Sequence, residues 1–441
     1  MAPRYGIEGT TSSGIAASVE AGVRSGALTP GDPLPPVRGL ATELGVSPGT
    51  VAAAYRILRQ RGVVSTDGRR GTRVRPKPSV VPRSHARLPV PPGARDVSAG
   101  NPDPRLLPAL GPRLRTLAPE PVLYGVVGML PELAELARER LTADGVPADA
   151  LTVTSGCLDG VERVLQTYLA PGDAVAVEDP GWSNLLDLVA AMGLRVEPVP
   201  VDDDGPDPAA VMAALRRGAR ALLVTSRAQN PFGAIVSAER ARKLRAVLRD
   251  APDTLVIEDD HAAELSHEPL RTLAGSTTRW ALVRSMSKPY GPDLRCAVLA
   301  ADEETLARVE GRQWLGVRWV STILQSLVVA LWRDPRVDAL VARAGRRYDE
   351  RRQGLLAALD ARGVRAHGGS GLNVWVPVQD ETAVCARLLE AGWVVAPGRI
   401  YRIAAGPGIR ITSSALADRD IDTLAGAVAY ALTPDRRPYA V

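Results

Sequence analysis

One lysine stands where it could bond covalently to a carbonyl compound. The chain has only three lysines, and Lys288 follows the apolar run WALVRS in the string RSMSKPYGPDLR, with Ser285, Ser287 and Arg295 close by. An amine at the end of a buried strand, among hydroxyls and a guanidinium, is suited to a Schiff base with a ligand whose phosphate binds beside it. The alternative is a capped turn at the surface.

Other segments supply what a pyridoxal 5'-phosphate site needs. The string TSGCLDGVERVL places Ser155, Gly156 and Cys157 at the start of a helix, where free amides and the helix dipole favour a phosphate. Asp259 ends the run TLVIED and could pair with the pyridinium nitrogen, which keeps the ring protonated as an electron sink.

Two further side chains could bind the ring. Asn230 in QNPFG could donate a hydrogen bond to the ring hydroxyl, and Trp182 in EDPGW could stack on the ring face. Each signal alone also has an ordinary structural explanation, since Asn-Pro marks turns, a strand-end Asp caps helices and a lone Trp lies in cores. Their order along the chain strengthens the site interpretation.

The elements around these residues alternate. Short runs that are apolar on both faces, separated by helix-period stretches, predict parallel strands in an α/β layer structure; they are 173–179, 220–226, 254–260, 280–285 and 296–300. From about Ala344 the pattern becomes helix, strand (372–378), helix and strand (408–414), which predicts a smaller α+β part. Six prolines between Pro76 and Pro92 indicate a semi-rigid linker.

The N-terminal segment is basic. Residues 1–82 carry eleven Lys and Arg against five Asp and Glu, hence +6, and the whole chain is +5, so the remainder is 5 − 6 = −1. This asymmetry is typical of a polyanion-binding module on a near-neutral body, although a solvated basic face remains the alternative.

Within that segment the helix pattern predicts a helix over 13–25, a short helix over 38–44 and another over 48–61, with Ser47 as N-cap. The last two are joined by the turn LGVS and predict a helix-turn-helix. The alternating string VVSTDGRRGTRV that follows predicts a two-stranded wing.

We expect this module to bind double-stranded DNA. Ser47 and Thr50, in the first turn of the second helix, could reach base edges or phosphates in the major groove. Arg38 and the wing residues Arg69, Arg70 and Thr72 would contact the backbone or the minor groove. The string from LPPVRGLATELGVSPGTV to the wing GT strongly resembles the winged helix-turn-helix of GntR-type bacterial regulators, over about residues 23–74.

From about residue 96 onward the chain resembles fold type I aminotransferases. The resemblance rests on an ordered set of motifs: Tyr124-Gly125, Ser155-Gly156, Pro180-Gly181-Trp182, Asn230-Pro231, Asp259, Ser285-x-Ser287-Lys288, Arg295 and Arg410. It implies that Tyr124 reaches the phosphate across a dimer interface, that Arg295 binds the same phosphate, and that Arg410 holds the carboxylate of a substrate or effector. A GntR-type module followed by such a domain resembles the MocR subfamily.

The sequence departs from that subfamily at one position. Where MocR proteins have EDDYDSEF, this chain has EDDHAAEL, so His261 stands in place of a tyrosine that touches the ring hydroxyl. Imidazole could bond there too but titrates near neutral pH, which puts full transaminase competence in doubt. A surface histidine without a role is the alternative.

These observations predict three regions: a winged helix-turn-helix over 1–77, a linker over 78–95, and an aminotransferase-like α/β domain over 96–441, with a large part to about 343 and a smaller part from about 344. The expected function is a homodimeric regulator that senses pyridoxal 5'-phosphate itself, or an amine or amino-acid effector, through Lys288. The alternative is a working aminotransferase that carries a DNA-binding domain.

Composition limits the remaining classes. With 45% hydrophobic and 23% charged residues, the chain is of ordinary globular type. No stretch approaches the ~18 apolar residues of a membrane span, and we expect a cytoplasmic protein without membrane contact. Three scattered cysteines, Cys157, Cys296 and Cys385, favour reduced thiols over disulfides or a metal site.

Overall fold

The computed structural model describes residues 5–25, 27–29, 31–60, 63–66, 71–74, 82–83, 90–125 and 128–433. The chain divides into two compact units, one built on the residues up to Pro82 and the other on most of the remaining chain. Among the helices in the described ranges, none is long and apolar enough to cross a membrane.

The first unit is a helical domain with a β-ribbon. Its elements are α1 (Ser12–Ser25), α2 (Val37–Leu44), α3 (Pro48–Gln60), β1 (Val64–Thr66) and β2 (Thr72–Val74). Gly45 ends α2 in the left-handed region (φ 66°), which a residue without Cβ adopts at little cost. Ser47 Oγ then accepts a hydrogen bond from Thr50 N at 3.1 Å and so caps α3.

The wing strands are antiparallel. Val64 pairs with Val74, and Thr66 pairs with Thr72. The helices bury Ile15, Leu40 and Leu58 in one core. The predicted helix-turn-helix and wing are therefore present, whereas Arg69 and Arg70 lie outside the described residues.

The large part of the second unit is an α/β sandwich. Its strands are β4 (Leu151–Thr154), β5 (Ala174–Asp179), β6 (Arg195–Asp202), β7 (Gly205–Pro206), β8 (Ala219–Thr225), β9 (Leu255–Asp260), β10 (Arg279–Ser285) and β11 (Ala297–Ala301). They form one sheet in the order β4-β11-β10-β9-β8-β5-β6-β7. All residues of β5 and β9 are buried, because helices cover both faces of such a sheet.

The predicted parallel arrangement holds for the centre of the sheet. β10, β9, β8 and β5 are parallel neighbours. The prediction was wrong for the run at 296–300, because β11 is antiparallel to both β10 and β4. A parallel crossover usually contains a helix that packs along the sheet, and the connection between β10 and β11 holds only the four-residue helix Ser287–Tyr290 and a 3-10 turn.

Several helices of the second unit begin after an Asp or Ser whose side chain caps the first turn. The helices of this unit are α4 (Leu110–Thr116), α5 (Pro131–Ala143), α6 (Cys157–Tyr168), α7 (Ser183–Ala191), α8 (Pro208–Arg216), α9 (Ala238–Arg249), α10 (Ser287–Tyr290), α11 (Glu303–Leu315), α12 (Thr322–Trp332), α13 (Pro335–Asp360), α14 (Glu381–Glu390) and α15 (Asp418–Leu432). Short 3-10 helices span Pro104–Leu106, Ala263–Leu265, Pro292–Leu294 and Gly398–Ile400. Asp302, for example, caps α11 by accepting from Thr305 N.

The smaller part has its own sheet. β12 (Asn373–Pro377), β15 (Gly408–Thr412) and β14 (Ala396–Pro397) are antiparallel in that order. A further pair joins β13 (Trp393–Val394) to β3 (Arg95–Asp96) in parallel. The predicted boundary near residue 343 lies inside α13, a continuous helix, and the predicted linker end at residue 95 lies in β3.

Candidate functional site

The predicted site residues converge at the carboxyl edge of the large sheet. β4, β5, β8, β9 and β10 end there, and the segments that follow them carry the polar side chains, as in other open α/β sheets. They surround a cavity of about 230 Å³, whose lining includes Cys157, Trp182, Asn230, Asp259, His261, Ser285, Ser287, Lys288 and Arg295. Tyr348, Asn373 and Gly100 complete its wall.

Lys288 lies in the first turn of α10, directly after β10. Its Nζ donates a hydrogen bond to the carbonyl oxygen of Gly100 at 2.5 Å. Ser285 Oγ accepts from Ser287 N at 3.2 Å, which orders the turn that carries the lysine. The amine therefore points at main-chain oxygen inside the cavity wall and not at bulk solvent.

Both oxygens of Asp259 accept hydrogen bonds. Cys157 Sγ donates to Oδ1 at 3.0 Å, and His261 Nδ1 lies 2.9 Å from Oδ2. Burial, and then the negative charge of Asp259, raise the pKa of the Cys157 thiol well above its ordinary value. The thiol is therefore the neutral donor of that pair.

The start of α6 forms a polar recess beneath Arg295. Gly156 has φ 100°, and a Cβ at that position would come within 2.6 Å of Arg295 Nη2. The same Nη2 donates to the carbonyl oxygen of Ser155 at 3.0 Å. Cys157 at the start of α6, Ser285, Ser287 and Arg295 line the same cavity, and a helix start with hydroxyls and a guanidinium suits a phosphate.

Arg410 is buried next to this cavity but is absent from its lining. It is 2% exposed, its Nη1 donates to Asn230 Oδ1 at 3.0 Å, and its Nη2 donates to Ser98 O at 2.5 Å. The guanidinium carbon lies 4.8 Å from the centre of the Tyr401 ring.

A buried ion network supports the site from below. Asp260, which is 0% exposed, accepts from Arg227 Nε at 2.8 Å and from Arg284 Nε at 2.7 Å. Burial alone would raise the pKa of Asp260, but the charges of Arg284 and Arg227 hold it far below its ordinary value. Both arginines also contact Asp144, so ion pairs join the end of the strand that carries Asp259 to Asp144.

Tyr124, Ser155, Gly156 and Arg410 do not line the cavity, and several residues that do line it were not predicted. The side chain of Tyr124 is 80% exposed and packs edge-on against Trp319, with ring centres 5.8 Å apart. Sequence reasoning did not single out Gly100, Tyr348 or Asn373, because no local motif marks them and only the packing of the smaller part brings them to the cavity. Within the described ranges, no cluster of three or more His, Cys, Asp and Glu could hold a metal ion.

Four of the six predicted DNA contacts lie in the described part of the first unit. Arg38 and Ser47 are exposed, and Thr50 and Thr72 are half-buried. Ser47 Oγ and Thr50 Oγ1 are 2.9 Å apart in the first turn of α3, which is the turn that a helix-turn-helix presents to the major groove.

Both units match known families. Residues 121–428 match the family "aminotransferase class I and II", and residues 11–74 match "bacterial regulatory proteins, gntR family". The chain is 40% identical, over 97% of its length and 99% of the relative, to the vitamin B6 salvage pathway transcriptional repressor PtsJ of Salmonella typhimurium. It is 34% identical, over 63% of each chain, to the pyridoxine biosynthesis transcriptional regulator PdxR of Corynebacterium glutamicum.

Solved structures agree on the fold of the second unit. The α-aminoadipate aminotransferase LysN of Thermus thermophilus, solved with N-(5'-phosphopyridoxyl)-L-leucine, superimposes with a TM-score of 0.67 at 23% identity, over 77% of this chain and 92% of that one. The fold type I architecture predicted from the sequence is confirmed. The chain belongs to the MocR subfamily of GntR-type transcriptional regulators, in which a gntR-family winged helix-turn-helix precedes a class I and II aminotransferase domain.

Proposed function

We propose that this protein is a transcriptional regulator whose DNA binding responds to pyridoxal 5'-phosphate held on Lys288. One observation carries the proposal: Lys288, Asp259, Arg295 and Cys157 at the start of α6 line a single cavity, in a chain whose other unit is a gntR-family DNA-binding domain. Because such a regulator acts on chromosomal DNA, we place it in the cytoplasm.

The residues of the cavity fit the cofactor. Lys288 Nζ would hold it covalently, the recess of Gly156, Ser285, Ser287 and Arg295 would bind its phosphate, and Asp259 would pair with its ring nitrogen. Trp182 would stack on the ring, and Asn230 would contact its hydroxyl. When bound, the cofactor supplies an aldehyde carbon that exchanges amines, and a protonated ring that withdraws electrons.

The two named relatives favour vitamin B6 as the signal. One is called a vitamin B6 salvage repressor and the other a pyridoxine biosynthesis regulator. We therefore propose that the cofactor is itself an effector. The cofactor can change DNA binding only if it binds more tightly to one of two forms of the protein, the form that binds DNA or the form that does not. The size of the change is set by that difference in affinity.

An exposed apolar surface supports a homodimer. Leu315 is 87% exposed, Tyr124 80% and Leu123 74%, and Trp314 and Val317 are exposed beside them in sequence. Large exposed apolar side chains grouped along a surface mark an interaction site. We propose that a second copy covers them, and that Tyr124 then reaches the phosphate site of the partner subunit.

Labelling of the full chain tests the proposal. The protein loaded with pyridoxal 5'-phosphate is expected to absorb visible light, and borohydride should fix the cofactor to Lys288. Lys288→Ala should abolish that fixation, whereas Lys243→Ala should retain it, because Lys243 pairs with Glu239 on the surface of α9.

DNA binding is measured in parallel, by fluorescence anisotropy on the DNA upstream of the gene. The cofactor should change the affinity of the wild-type chain and of Lys243→Ala, and should leave Lys288→Ala unaffected. Equal labelling of Lys288→Ala would overturn the site. Rapid release of keto acid from a common amino acid, with DNA affinity indifferent to the cofactor, would favour the aminotransferase alternative instead.

A further inference from the structure

A three-residue stretch of main chain lies between the two cationic side chains of the site. Gly100 O accepts from Lys288 Nζ at 2.5 Å, and Ser98 O accepts from Arg410 Nη2 at 2.5 Å. Residues 98–100, which we call the closing segment, thus bind the amine and the guanidinium that the family resemblance assigns to a ligand.

The closing segment is packed tightly against Arg410. Gly100 has φ 70°, and a Cβ there would stand 3.0 Å from Nη2 and 3.1 Å from Nη1 of Arg410. Its amide donates to Thr412 Oγ1 at 3.0 Å. Glycine is therefore required both by its backbone angle and by the close approach of the guanidinium.

Arg410 is buried behind the cavity wall. Its side chain is 2% exposed and absent from the cavity lining, while one terminal nitrogen donates to Asn230 and the other to Ser98. These bonds engage two of the five N–H groups of the guanidinium, so burial is what keeps a carboxylate away, and residues 98–100 would have to move before it could reach Arg410. Lys288 differs, because it already lines the cavity, and a cofactor on its Nζ would replace only the bond to Gly100 O.

We propose that the closing segment shuts the carboxylate subsite, so that the cavity selects pyridoxal 5'-phosphate, or an amine without an α-carboxylate, over α-amino acids. This inference rests on the proposed function and specifies the ligand class of the same site. The main-chain segment 98–100 would then set the specificity. A ligand that must displace a buried hydrogen-bonded group binds much more weakly than a ligand of similar shape that need not.

A single exposed side chain holds the closing segment from outside the cavity. Asp96 Oδ1 accepts from Ser98 N at 2.8 Å and from Ser98 Oγ at 2.7 Å. Asp96 ends β3 and is absent from the cavity lining. Asp96→Ala therefore loosens the segment without removing a cofactor contact, and Asp96→Asn retains an oxygen at the same place as the matched control.

The experiment compares two probes that differ only in charge. The full chain loaded with pyridoxal 5'-phosphate is titrated with L-alanine and with L-alaninamide, each expressed as its unprotonated amine, and the change in the visible spectrum gives the dissociation constants. For wild type and Asp96→Asn we expect L-alanine to bind no more tightly than L-alaninamide. For Asp96→Ala we expect the preference to shift toward L-alanine by about tenfold, because Arg410 becomes reachable.

Thr412→Val is a second variant that should loosen the closing segment, because it removes the oxygen that accepts from the Gly100 amide. It should likewise shift the preference toward L-alanine. A wild-type protein that binds L-alanine at least tenfold more tightly than L-alaninamide would overturn the inference while leaving the proposed function intact. Unchanged preferences in both loosened variants would also overturn it. A wild-type chain that gives no visible band with pyridoxal 5'-phosphate would refute the proposed function, and this inference with it.

Discussion

His261 Nδ1 lies 2.9 Å from Asp259 Oδ2, so the histidine that replaces the subfamily's tyrosine bonds to the carboxylate that we propose pairs with the ring nitrogen of the cofactor. The sequence led us to expect that His261 would touch the ring hydroxyl. His261 follows Asp259 by two residues at the end of β9, and in extended backbone side chains two residues apart lie on the same face, which brings the imidazole to Asp259. Together with Cys157, it orients both oxygens of that carboxylate.

The first prediction follows from this contact. His261→Phe should weaken pyridoxal 5'-phosphate binding about three- to tenfold, because one hydrogen bond that orients a charged carboxylate is worth roughly 1 kcal/mol. His261→Asn is the matched control, since its amide nitrogen lies close to the place of Nδ1. Dissociation constants from the visible absorbance decide the matter: an unaltered affinity in the Phe variant would contradict the positioning role.

The second prediction concerns pH. Burial raises the pKa of Glu178 from 4.5 to about 8, although Thr225 N and Gln229 Nε2 both donate to it. The folded protein therefore holds this proton more tightly than the unfolded chain does. The stability from Glu178 is fully present below pH 4.5 and is lost as the pH rises through about 8.

Urea denaturation of the full chain between pH 5 and 9 measures this effect. Glu178→Gln, which stays neutral throughout, should show a shallower fall in unfolding free energy with rising pH than wild type; each unit of pKa difference corresponds to ~1.4 kcal/mol. Glu390→Gln, at an exposed position of α14, should behave as wild type. Parallel curves for wild type and Glu178→Gln would show that Glu178 does not titrate in this range.

Much of the architecture could be predicted from the sequence because it depends on local patterns. Runs apolar on both faces gave the central strands β5, β8, β9 and β10, and Ser47 with its turn gave the start of α3. The direction of β11 could not be predicted, since an apolar strand has the same composition in either direction, and the eleven-residue connection before it, 286–296, does not by its length exclude a crossover.

The site divides in the same way. Strand ends and a helix start carry Lys288, Asp259 and Cys157. Because the carboxyl ends of parallel strands meet at one edge of a sheet, the sequence was enough to predict that these residues lie close together. The contacts of Gly100 with Lys288 and of Ser98 with Arg410 are different. They join residues that are far apart in the sequence, and they form only once the whole domain has folded. No periodicity records such a contact, and the sequence therefore could not show that Arg410 donates to Asn230 and to Ser98.

The third prediction tests the DNA surface. Thr50→Val keeps the shape of the side chain but removes the hydroxyl that lies 2.9 Å from Ser47 Oγ. We expect roughly tenfold weaker binding to the operator and unchanged binding to unrelated DNA, because base contacts carry the specificity. Arg38→Ala should weaken binding to both and flatten the salt dependence.

Thr42→Val on α2 is the control for the loss of a threonine hydroxyl, since Thr42 bonds to Arg38 O within its own helix. Fluorescence anisotropy at several salt concentrations provides the affinities. Equal losses on operator and unrelated DNA in Thr50→Val would assign Thr50 to backbone binding or to stability instead of sequence reading.

The last prediction concerns the partner subunit. In the described part of one chain, Tyr124 packs on Trp319 with 80% of its surface exposed and does not line the cavity of Lys288. If Tyr124 completes the phosphate site of the partner, its loss should weaken cofactor binding without changing the fold of its own chain. Tyr124→Phe should lower the affinity several-fold, because it deletes one hydroxyl bond to a charged phosphate and keeps the ring.

Mixing two defective chains makes this test decisive. Tyr124→Ala retains Lys288 but lacks the tyrosine, and Lys288→Ala retains the tyrosine but cannot fix the cofactor. After dissociation and reassociation, each mixed dimer would hold one complete site, formed by Lys288 of one chain and Tyr124 of the other. Borohydride fixation at low cofactor concentration should then rise well above that of either variant alone, toward half of the wild-type level for the mixed dimers. Fixation equal to the average of the two separate variants would mean that Tyr124 acts within its own chain or takes no part in the site.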